Sequence, residues 1–413
     1  MSDLLSVTNA LQIILETLSP TNSALTSTIK AAGRILAEEV GSEVDLPSFA
    51  NSSMDGFAVR AIDLAGATPE NPVSLPVTAD LSAGSEEAFY LKAGQAARIM
   101  TGAPIPSGCD AVVPLEQTNY YPVRAGINYP QIVKIFNSPN SGENIRPAGQ
   151  DARKGDILLR AGIKLRPQDI GILCMVGRVE VSVYRKPRVA ILSSGDELIP
   201  LGESLSYGKV YDSNSHTLVA LVEKYGGVAI PLGVARDDFD AVRADFDRAV
   251  ESEADLIITS AGVSVGAFDY IRSVVEAYGH IRFWRVNMRP GKPVTFGDYR
   301  GIPFIGLPGN PVSAFIGFEV FVRPALGKLL GLNQEVRPAQ RVVLEEAIES
   351  DGRESYLRAV VRFVNGTWKA KLTGHQGSGN LRSLVQANAL LLIPSGVKFL
   401  PVGAEAKAWL LDA

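Results

Sequence analysis

Histidine and cysteine are scarce in this chain, with three of the first and two of the second among 413 residues. Cys109 and Cys174 lie far apart, which excludes a disulfide framework and a thiolate zinc site. His216, His280 and His375 show no ligand-like spacing, so a metal here would be a hard ion held by carboxylates. An excess of positive charge is also missing. Lys and Arg total 40 against 44 Asp and Glu, a net charge of −4, and that excludes a strongly basic nucleic-acid binder. No run approaches the ~18 uninterrupted apolar residues of a membrane span. The amino-terminal Met-Ser-Asp-Leu-Leu-Ser carries no basic region ahead of an apolar stretch. The expectation is a cytoplasmic protein without membrane or nucleic-acid partners. Neither GxxxxGK[ST] nor GxGxxG occurs, so neither a P-loop NTPase nor a standard dinucleotide enzyme is supported.

What is present is ordinary globular material, 46% hydrophobic and 20% charged, with 39 Gly and 25 Pro to make turns. The length predicts two to four domains. Leu4, Val7, Leu11, Ile14, Leu15 and Leu18 share one helical face, and a second helix is expected from Ser23 or Thr26 to Glu39. From Asp45 to about Phe136 short apolar runs alternate with Pro, Gly and Asn, the texture of a β-rich module. Pro167 suits the first turn of a helix ending near Gly177, and Val179 to Tyr184 reads as a strand. These features predict an N-terminal and linking domain of 1–44 with 142–186, and a β-rich domain of 45–141 inserted into it.

Residues 187–331 repeat strand, loop and helix. Strands are expected at Arg188 to Leu192, Val228 to Leu232, Asp255 to Thr259, Ile281 to Val286 and Pro303 to Leu307. The helices between them are Asn214 to Tyr225, Asp238 to Ser252, Tyr270 to Tyr278 and Val312 to Leu330. This alternation argues for a mostly parallel sheet covered by helices, a three-layer α/β/α domain. Residues 332–413 return to β, and Asn365-Gly366 favours a type I′ hairpin. The fold class is thus multidomain, α/β plus β-rich, with a small C-terminal β domain.

Ligands of an open parallel sheet bind beyond the carboxyl ends of its strands. Ser193-Ser194-Gly195-Asp196-Glu197 follows one such end, and its carboxylates suit either Mg²⁺ or a solvated helix cap. Ser260 to Gly266, with Ser264 and then Asp269, is either an oxyanion cradle or a glycine turn. Gly306-Leu307-Pro308-Gly309-Asn310-Pro311 sets Asn310 as an N-cap and Pro311 as a first helical residue. Arg289-Pro290-Gly291-Lys292-Pro293 offers a guanidinium fork and a point charge for phosphate or molybdate. Asp55 in Asp55-Gly56 has turn chemistry as its ordinary reading. Arg146 with Asp151 reads as a surface ion pair, and Asp238 as an N-cap.

Taken in order, Ser53-Met54-Asp55-Gly56-Phe57-Ala58-Val59, Thr101-Gly102-Ala103, Gly142 to Arg146 with Gly149 and Asp151, Ser194 to Leu198, Tyr211 to Asn214, Arg236-Asp237-Asp238, Gly262 to Gly266, Arg289 to Pro293 and Gly306 to Pro311 resemble the MoeA family of molybdopterin molybdenumtransferases, related to the C-terminal part of gephyrin. The resemblance covers essentially the whole chain. It implies a molybdopterin-binding-like central domain and insertion of molybdate into adenylylated molybdopterin with release of AMP, dependent on Mg²⁺. It also implies an elongated homodimer whose site lies between the α/β domain of one subunit and the β-rich module of the other, with substrate handed over by the adenylyltransferase. Carried over by motif, the catalytic residues are Asp55, Thr101, Asp151, Glu197, Asp237 and Asp269, with Glu197, Asp237 and Asp269 as metal ligands. Ser264, Arg289, Lys292, Pro308, Gly309, Asn310 and Pro311 are the substrate-binding set, and Ser378 and Arg358 are further anion-site candidates.

Three positions depart from the family pattern: Phe57 stands for Tyr, Ala261 for Gly and Arg289 for Lys. An adenylyltransferase, a non-catalytic gephyrin-like scaffold and a tungstate-specific enzyme stay open as alternatives.

Overall fold

The computed structural model describes residues 4–85, 88–120, 129–261, 270–333 and 337–411. The chain folds as two compact units, one of Met1–Glu38, Gly162–Arg166 and Glu180–Ala413, the other of Glu39–Ala161 and Pro167–Val179.

In the first unit the sheet order is Val228–Ala235, Arg188–Ser194, Leu256–Ser260, Ile302–Leu307, Thr295–Tyr299, Gly279–Phe283. The first four strands are parallel. Period-two side-chain alternation sends neighbouring residues to opposite faces. Val189, Ile191, Leu256, Ile258, Ile305 and Leu307 enter one core, with Leu218 and Val222 of the helix Ser213–Lys224. Ala190, Leu192, Ile257 and Phe304 enter the other, with Phe246 of Phe239–Glu251 and Val274 of Tyr270–Tyr278. This is the expected three-layer domain.

Its far edge differs from expectation. Gly279–Phe283 is not a parallel strand. It pairs antiparallel with Thr295–Tyr299, an unforeseen strand that itself runs antiparallel to Ile302–Leu307. Close approach decides this edge, because a Cβ on Gly279 would lie 1.8 Å from the Asp298 carbonyl oxygen and one on Gly297 2.0 Å from that of His280.

Two helix expectations also need correction. Ser23–Ser27 is a strand paired antiparallel with Glu180–Tyr184, followed by a single 3₁₀ turn at Thr28–Lys30. A stretch rich in Ser and Thr has little intrinsic helical preference to set against pairing with a strand more than 150 residues away. The helix expected over Val312 to Leu330 is three segments, α-helical Pro311–Gly317, a π turn at Phe318–Val322 and α-helical Arg323–Leu329. Pro324 has no N–H to donate and its ring crowds the carbonyl four residues back, so the preceding turn widens.

The C-terminal part closes on itself. Glu354–Val364 pairs with Thr367–Leu372, which pairs with Gln340–Leu344, then with Glu405–Leu410, then with Ala389–Ile393, and that strand returns to Glu354–Val364. The result is a small barrel around Val342, Leu344, Val361, Leu391 and Ile393. Val364 faces Thr367 across Asn365 (φ 51°) and Gly366 (φ 78°), the expected two-residue turn with both central residues left-handed. One further two-residue strand, Met288–Arg289, joins the barrel by pairing with Glu354 and Ser355.

The second unit holds a five-stranded sheet in the order Ala111–Pro114, Gly56–Val59, Ala96–Ile99, Val73–Leu81, Ile132–Ile135. Phe57, Val59, Leu64, Val113, Val133 and Ile135 fill its core. Gly56 is required there, since a Cβ would lie 2.0 Å from the Val113 carbonyl oxygen.

Candidate functional site

The four parallel strands present their carboxyl ends in a row, and the chemistry along the row changes sign. At one end are the loops after Arg188–Ser194 and Val228–Ala235. Gly195 leaves the first strand at φ 148°, and Glu197 folds back over it so closely that a Cβ would lie 2.6 Å from Glu197 Oε2. Only glycine lets that carboxylate sit there. Ser194 Oγ donates to Asp237 Oδ1 at 2.8 Å, and the Asp237 N–H donates to Asp196 Oδ1 at 3.3 Å. Lys209 Nζ donates to the Asp196 carbonyl at 2.5 Å. The two loops are thereby tied into one acidic corner. No helix follows Asp196 and Glu197, so their cap reading is set aside. The caps are Asp212, whose carboxylate accepts the Ser215 N–H at 3.1 Å, and Asp238, which accepts the Ala241 N–H at 2.9 Å.

A cavity of about 900 Å³ opens beside this corner, lined by Asp196, Lys209, Asp212, His216, Val234 and Arg236 among others. That volume lies in the range of small-molecule sites. Sequence reasoning did not single out Lys209 or Arg236 as site residues, or Ser194 as the group orienting Asp237. The signal available was their place immediately around the acidic βα loops.

Toward the other end lies the loop after Ile302–Leu307. Asn310 occupies the N-cap position of Pro311–Gly317, but its side chain makes no capping bond. Asn214 Nδ2 donates to the Gly309 carbonyl and to Ser260 Oγ, both at 2.7 Å, and so joins this loop to the central strand end. Ala261 stands at φ 83°, with a Cβ on Gly309 only 3.2 Å from its own. Left-handed backbone is costly for any residue but glycine, so the Ala261 that departs from the family pattern carries a strain that glycine at this position would not. Gly262 to Asp269, with Ser264 and Asp269 among them, lies outside the described residues.

Beyond Pro311 the barrel contributes a buried cation. Arg358 is 0% exposed. Its Nε donates to Ser383 Oγ at 3.1 Å and its Nη2 to the Gly377 carbonyl at 2.9 Å, while Nη1 has no hydrogen-bond partner among the described residues. The loop of residues 374–379 wraps this arginine, with Gln376 bonding both its N–H and its carbonyl at 2.9 and 3.1 Å. The Ser378 carbonyl takes the N–H of Val312 at 3.1 Å, so the same loop seats the first turn of the Pro311 helix. Burial, and then repulsion from Arg289, pushes the Arg358 guanidinium down to about 10. Arg289 has one distant carboxylate, Asp351, at 3.7 Å, and Lys292 is exposed. A guanidinium denied water, with an idle N–H and a second cation beside it, has the chemistry to receive an oxyanion.

The second unit carries the other candidates. Asp55 Oδ1 accepts both the N–H of Thr101 at 2.7 Å and its Oγ at 2.8 Å, so these two are assembled into one group. Asp151 is ion-paired with Arg146, both half-exposed, which fits the ordinary reading of that pair. Phe57 is fully buried, edge-on to Tyr120 with ring centres 5.8 Å apart.

Family models match the chain from end to end: "MoeA N-terminal region (domain I and II)" over residues 5–177, "Probable molybdopterin binding domain" over 190–328 and "MoeA C-terminal region (domain IV)" over 341–411. A molybdopterin molybdenumtransferase of Nostoc sp. is 40% identical over 91% of this chain and 86% of the relative, and one of Haemophilus influenzae is 36% identical over 91% and 90%. The crystal structure of a molybdopterin biosynthesis MoeA protein from Pyrococcus horikosii superposes with a TM-score of 0.83 at 31% identity, covering both chains fully. The strand-edge loops, the barrel and these likenesses agree, and the chain belongs to the MoeA family of molybdopterin molybdenumtransferases.

Proposed function

We propose that this protein is a transferase of molybdenum cofactor biosynthesis that inserts molybdate into adenylylated molybdopterin and releases AMP. The observation that carries the reading is the idle Nη1 of Arg358, buried beside Arg289 where the Gly374–Gly379 loop meets the Pro311 helix. Molybdate is a tetrahedral dianion, and a desolvated guanidinium with neighbouring cations binds such an ion far better than the same groups in water. Arg289 and Lys292 add charge on the adjoining loop. The 900 Å³ cavity at the acidic corner, with Lys209, His216 and Arg236 on its wall, suits the phosphate-bearing remainder of the substrate.

Mg²⁺ fits the acidic corner by the chemistry of its donors. Among the described residues no three acidic, histidine or cysteine side chains gather. Mg²⁺ does not need them, because it is commonly held by one or two carboxylates, water and substrate phosphates. Glu197 and Asp237 would hold it, with Asp269 as the third member implied by the resemblance. When bound, the ion neutralises charge that builds on the phosphoanhydride oxygens. Ser194 keeps the Asp237 carboxylate oriented, and Gly195 gives Glu197 room to point inward.

A homodimer belongs to the same reading. The family resemblance implies that Asp55, Thr101 and Asp151 join the reacting centre of a partner subunit. Mixing Asp55→Asn chains with Glu197→Gln chains then restores part of the activity, which neither variant shows alone. A cytoplasmic setting and receipt of substrate from a molybdopterin adenylyltransferase complete the proposal. Among the described residues no helix is long and apolar enough to cross a membrane.

The deciding experiment measures AMP release from adenylylated molybdopterin by purified protein with Mg²⁺, with and without molybdate. Molybdate-dependent release, lost in Glu197→Gln, is expected. Equal release without molybdate would make the protein a simple hydrolase, and pterin binding without release would make it a scaffold.

A further inference from the structure

Resting on the transferase reading, we propose that Asn214 is a positioning residue of the reaction, the centre of a clasp that holds the acidic corner and the oxyanion loop at one fixed separation. Three strands of the first unit end side by side, with Ser193 beside Ser260 and Ser260 beside Leu307. Past that row the pairing of these three strands ends and the chain leaves as loops. The first strand runs into Gly195-Asp196-Glu197, and the third into Pro308-Gly309-Asn310.

What spans these loops is the start of the helix Ser213–Lys224. Asp212 is its N-cap, and the same carboxylate accepts the Ser193 hydroxyl at 3.2 Å. Asn214 Nδ2 donates to Ser260 Oγ and to the Gly309 carbonyl, both at 2.7 Å. Residues 212–214 therefore touch the first strand, the second strand and the loop after the third. A carbonyl only accepts, so the nitrogen of the carboxamide, and not its oxygen, faces Gly309. Both amide hydrogens are spent outside the helix. Because Asp212 supplies the cap, the Asn214 side chain is not needed to start that helix. Ser193, Ser260 and Asp212 are 0%, 2% and 5% exposed, and water does not readily replace a bond lost among them.

Each end of the clasp leads to a different part of the chemistry. Ser193 precedes Ser194, whose hydroxyl orients Asp237. Gly309 leads into the helix Pro311–Gly317, whose Val312 N–H is held by the loop that wraps Arg358. Pro308 and Pro311 have no N–H with which to anchor this stretch, so a side chain from another element does it. A Cβ on Gly309 would lie 3.2 Å from that of Ala261, which seats the loop against the central strand end as well. Molybdate at Arg358 and the anhydride at Glu197 and Asp237 must act on one substrate. A misplacement of about 1 Å between reacting groups costs about 10²-fold in rate, and the clasp removes that freedom.

The test is the rate of molybdate-dependent AMP release from adenylylated molybdopterin with Mg²⁺, in the full-length parent and in Asn214→Asp. Aspartate keeps the size, donates nothing when ionised and sets a negative charge against the Gly309 carbonyl. The kcat should fall about 10²-fold, while KM for the pterin and calorimetric affinity for molybdate alone each stay within about threefold of the parent. Two halves that bind normally but no longer react together are the mark of lost positioning, since a merely structural loss weakens binding too. Ser260→Ala, which removes one partner and adds no charge, should lower kcat about tenfold. The pair Asn214→Ala, Ser260→Ala should be no slower than Asn214→Ala alone. Parental kcat in Asn214→Asp overturns the proposal, as does a fall in kcat matched by a fall in molybdate or pterin binding. If Asn214→Asp does not fold, Ser260→Ala decides, a lower kcat at parental KM supporting the clasp and an unchanged kcat overturning it. A parent without molybdate-dependent release would instead overturn the transferase reading, and the clasp with it.

Discussion

Arg323 and Arg358 are both buried in the first unit, 5% and 0% exposed, yet their charges are accommodated differently. Arg323 lies 3.7 Å from Glu319, a carboxylate itself only 1% exposed, which also pairs with Arg337 and accepts the Tyr225 hydroxyl at 3.0 Å. Among the described residues Arg358 meets no carboxylate. Its partners are a serine hydroxyl and backbone carbonyls, and one nitrogen is idle. Charge neutralised inside the protein serves the fold. Charge held by neutral dipoles, beside a second cation, is available to an anion, as the proposed function requires. The cost of burying an ion without a counter-ion is large, and under that proposal a bound oxyanion would offset it.

The strongest way to break this comparison is at the paired arginine. Glu319→Gln removes a carboxylate, itself 1% exposed, that pairs with both Arg323 and Arg337, and should cost about 3–5 kcal/mol of stability, the usual effect of breaking a buried pair. Urea unfolding followed by circular dichroism measures it, and a loss below about 1 kcal/mol would show that Glu319 matters little. Tyr225 would register the same change. Its phenol is pushed up to about 12 by burial and then by Glu319, and an amide at position 319 should bring that titration down, as ultraviolet difference spectra would show.

The contrasting substitution, Arg358→Leu, should leave stability within about 1 kcal/mol of the parent, since replacing a buried charge by an apolar side chain is often neutral. Molybdate binding and molybdate-dependent AMP release should fall about 10²-fold, the scale of losing one preorganised donor to an anion. A smaller loss is expected for Arg358→Lys, about tenfold, because charge is kept while the fork is lost. If leucine unfolded the protein and lysine rescued only stability, Arg358 would be a structural ion like Arg323.

The smallest effect concerns pH. The Arg358 guanidinium is drawn down to about 10, first by burial and then by Arg289. Below that value it is charged both folded and unfolded, so molybdate affinity should be flat from about pH 6 to 9 and decline only near 10. For stability the sign is the opposite. Between about 10 and the ordinary arginine value the unfolded chain holds the extra proton, so the unfavourable contribution of this group, complete below about 10, fades as pH rises. Equilibrium titrations of the parent and of Arg358→Leu, compared across this range, separate the two effects.

Much of this was legible in residue order. The βα alternation, the Asn365-Gly366 hairpin and the strand-end turns at Gly195 and Gly309 are local signals, and each is found where expected. The strand at Ser23–Ser27, the antiparallel edge at Thr295–Tyr299 and the interrupted helix at Phe318–Val322 were not, because partners distant in sequence or a proline's missing donor decided them. Within the second unit Asp55 with Thr101, and within the first Asp237 with Ser194 and Asp196, emerge as assembled groups. Arg358 stood in the sequence only as one further anion-site candidate. A lone arginine within Tyr356-Leu357-Arg358-Ala359-Val360-Val361 is visible, but only burial and the count of its partners distinguish it from a surface residue.

The two-residue strand Met288–Arg289 has a mechanical consequence. Arg289 is stitched by backbone pairing to Ser355, three residues before Arg358 on the same barrel strand. The spacing between the two cations is therefore set by a peptide ladder and not by the drift of a loop. Any opening or closing of the site must carry both arginines as one piece, like two teeth cut on a single gear.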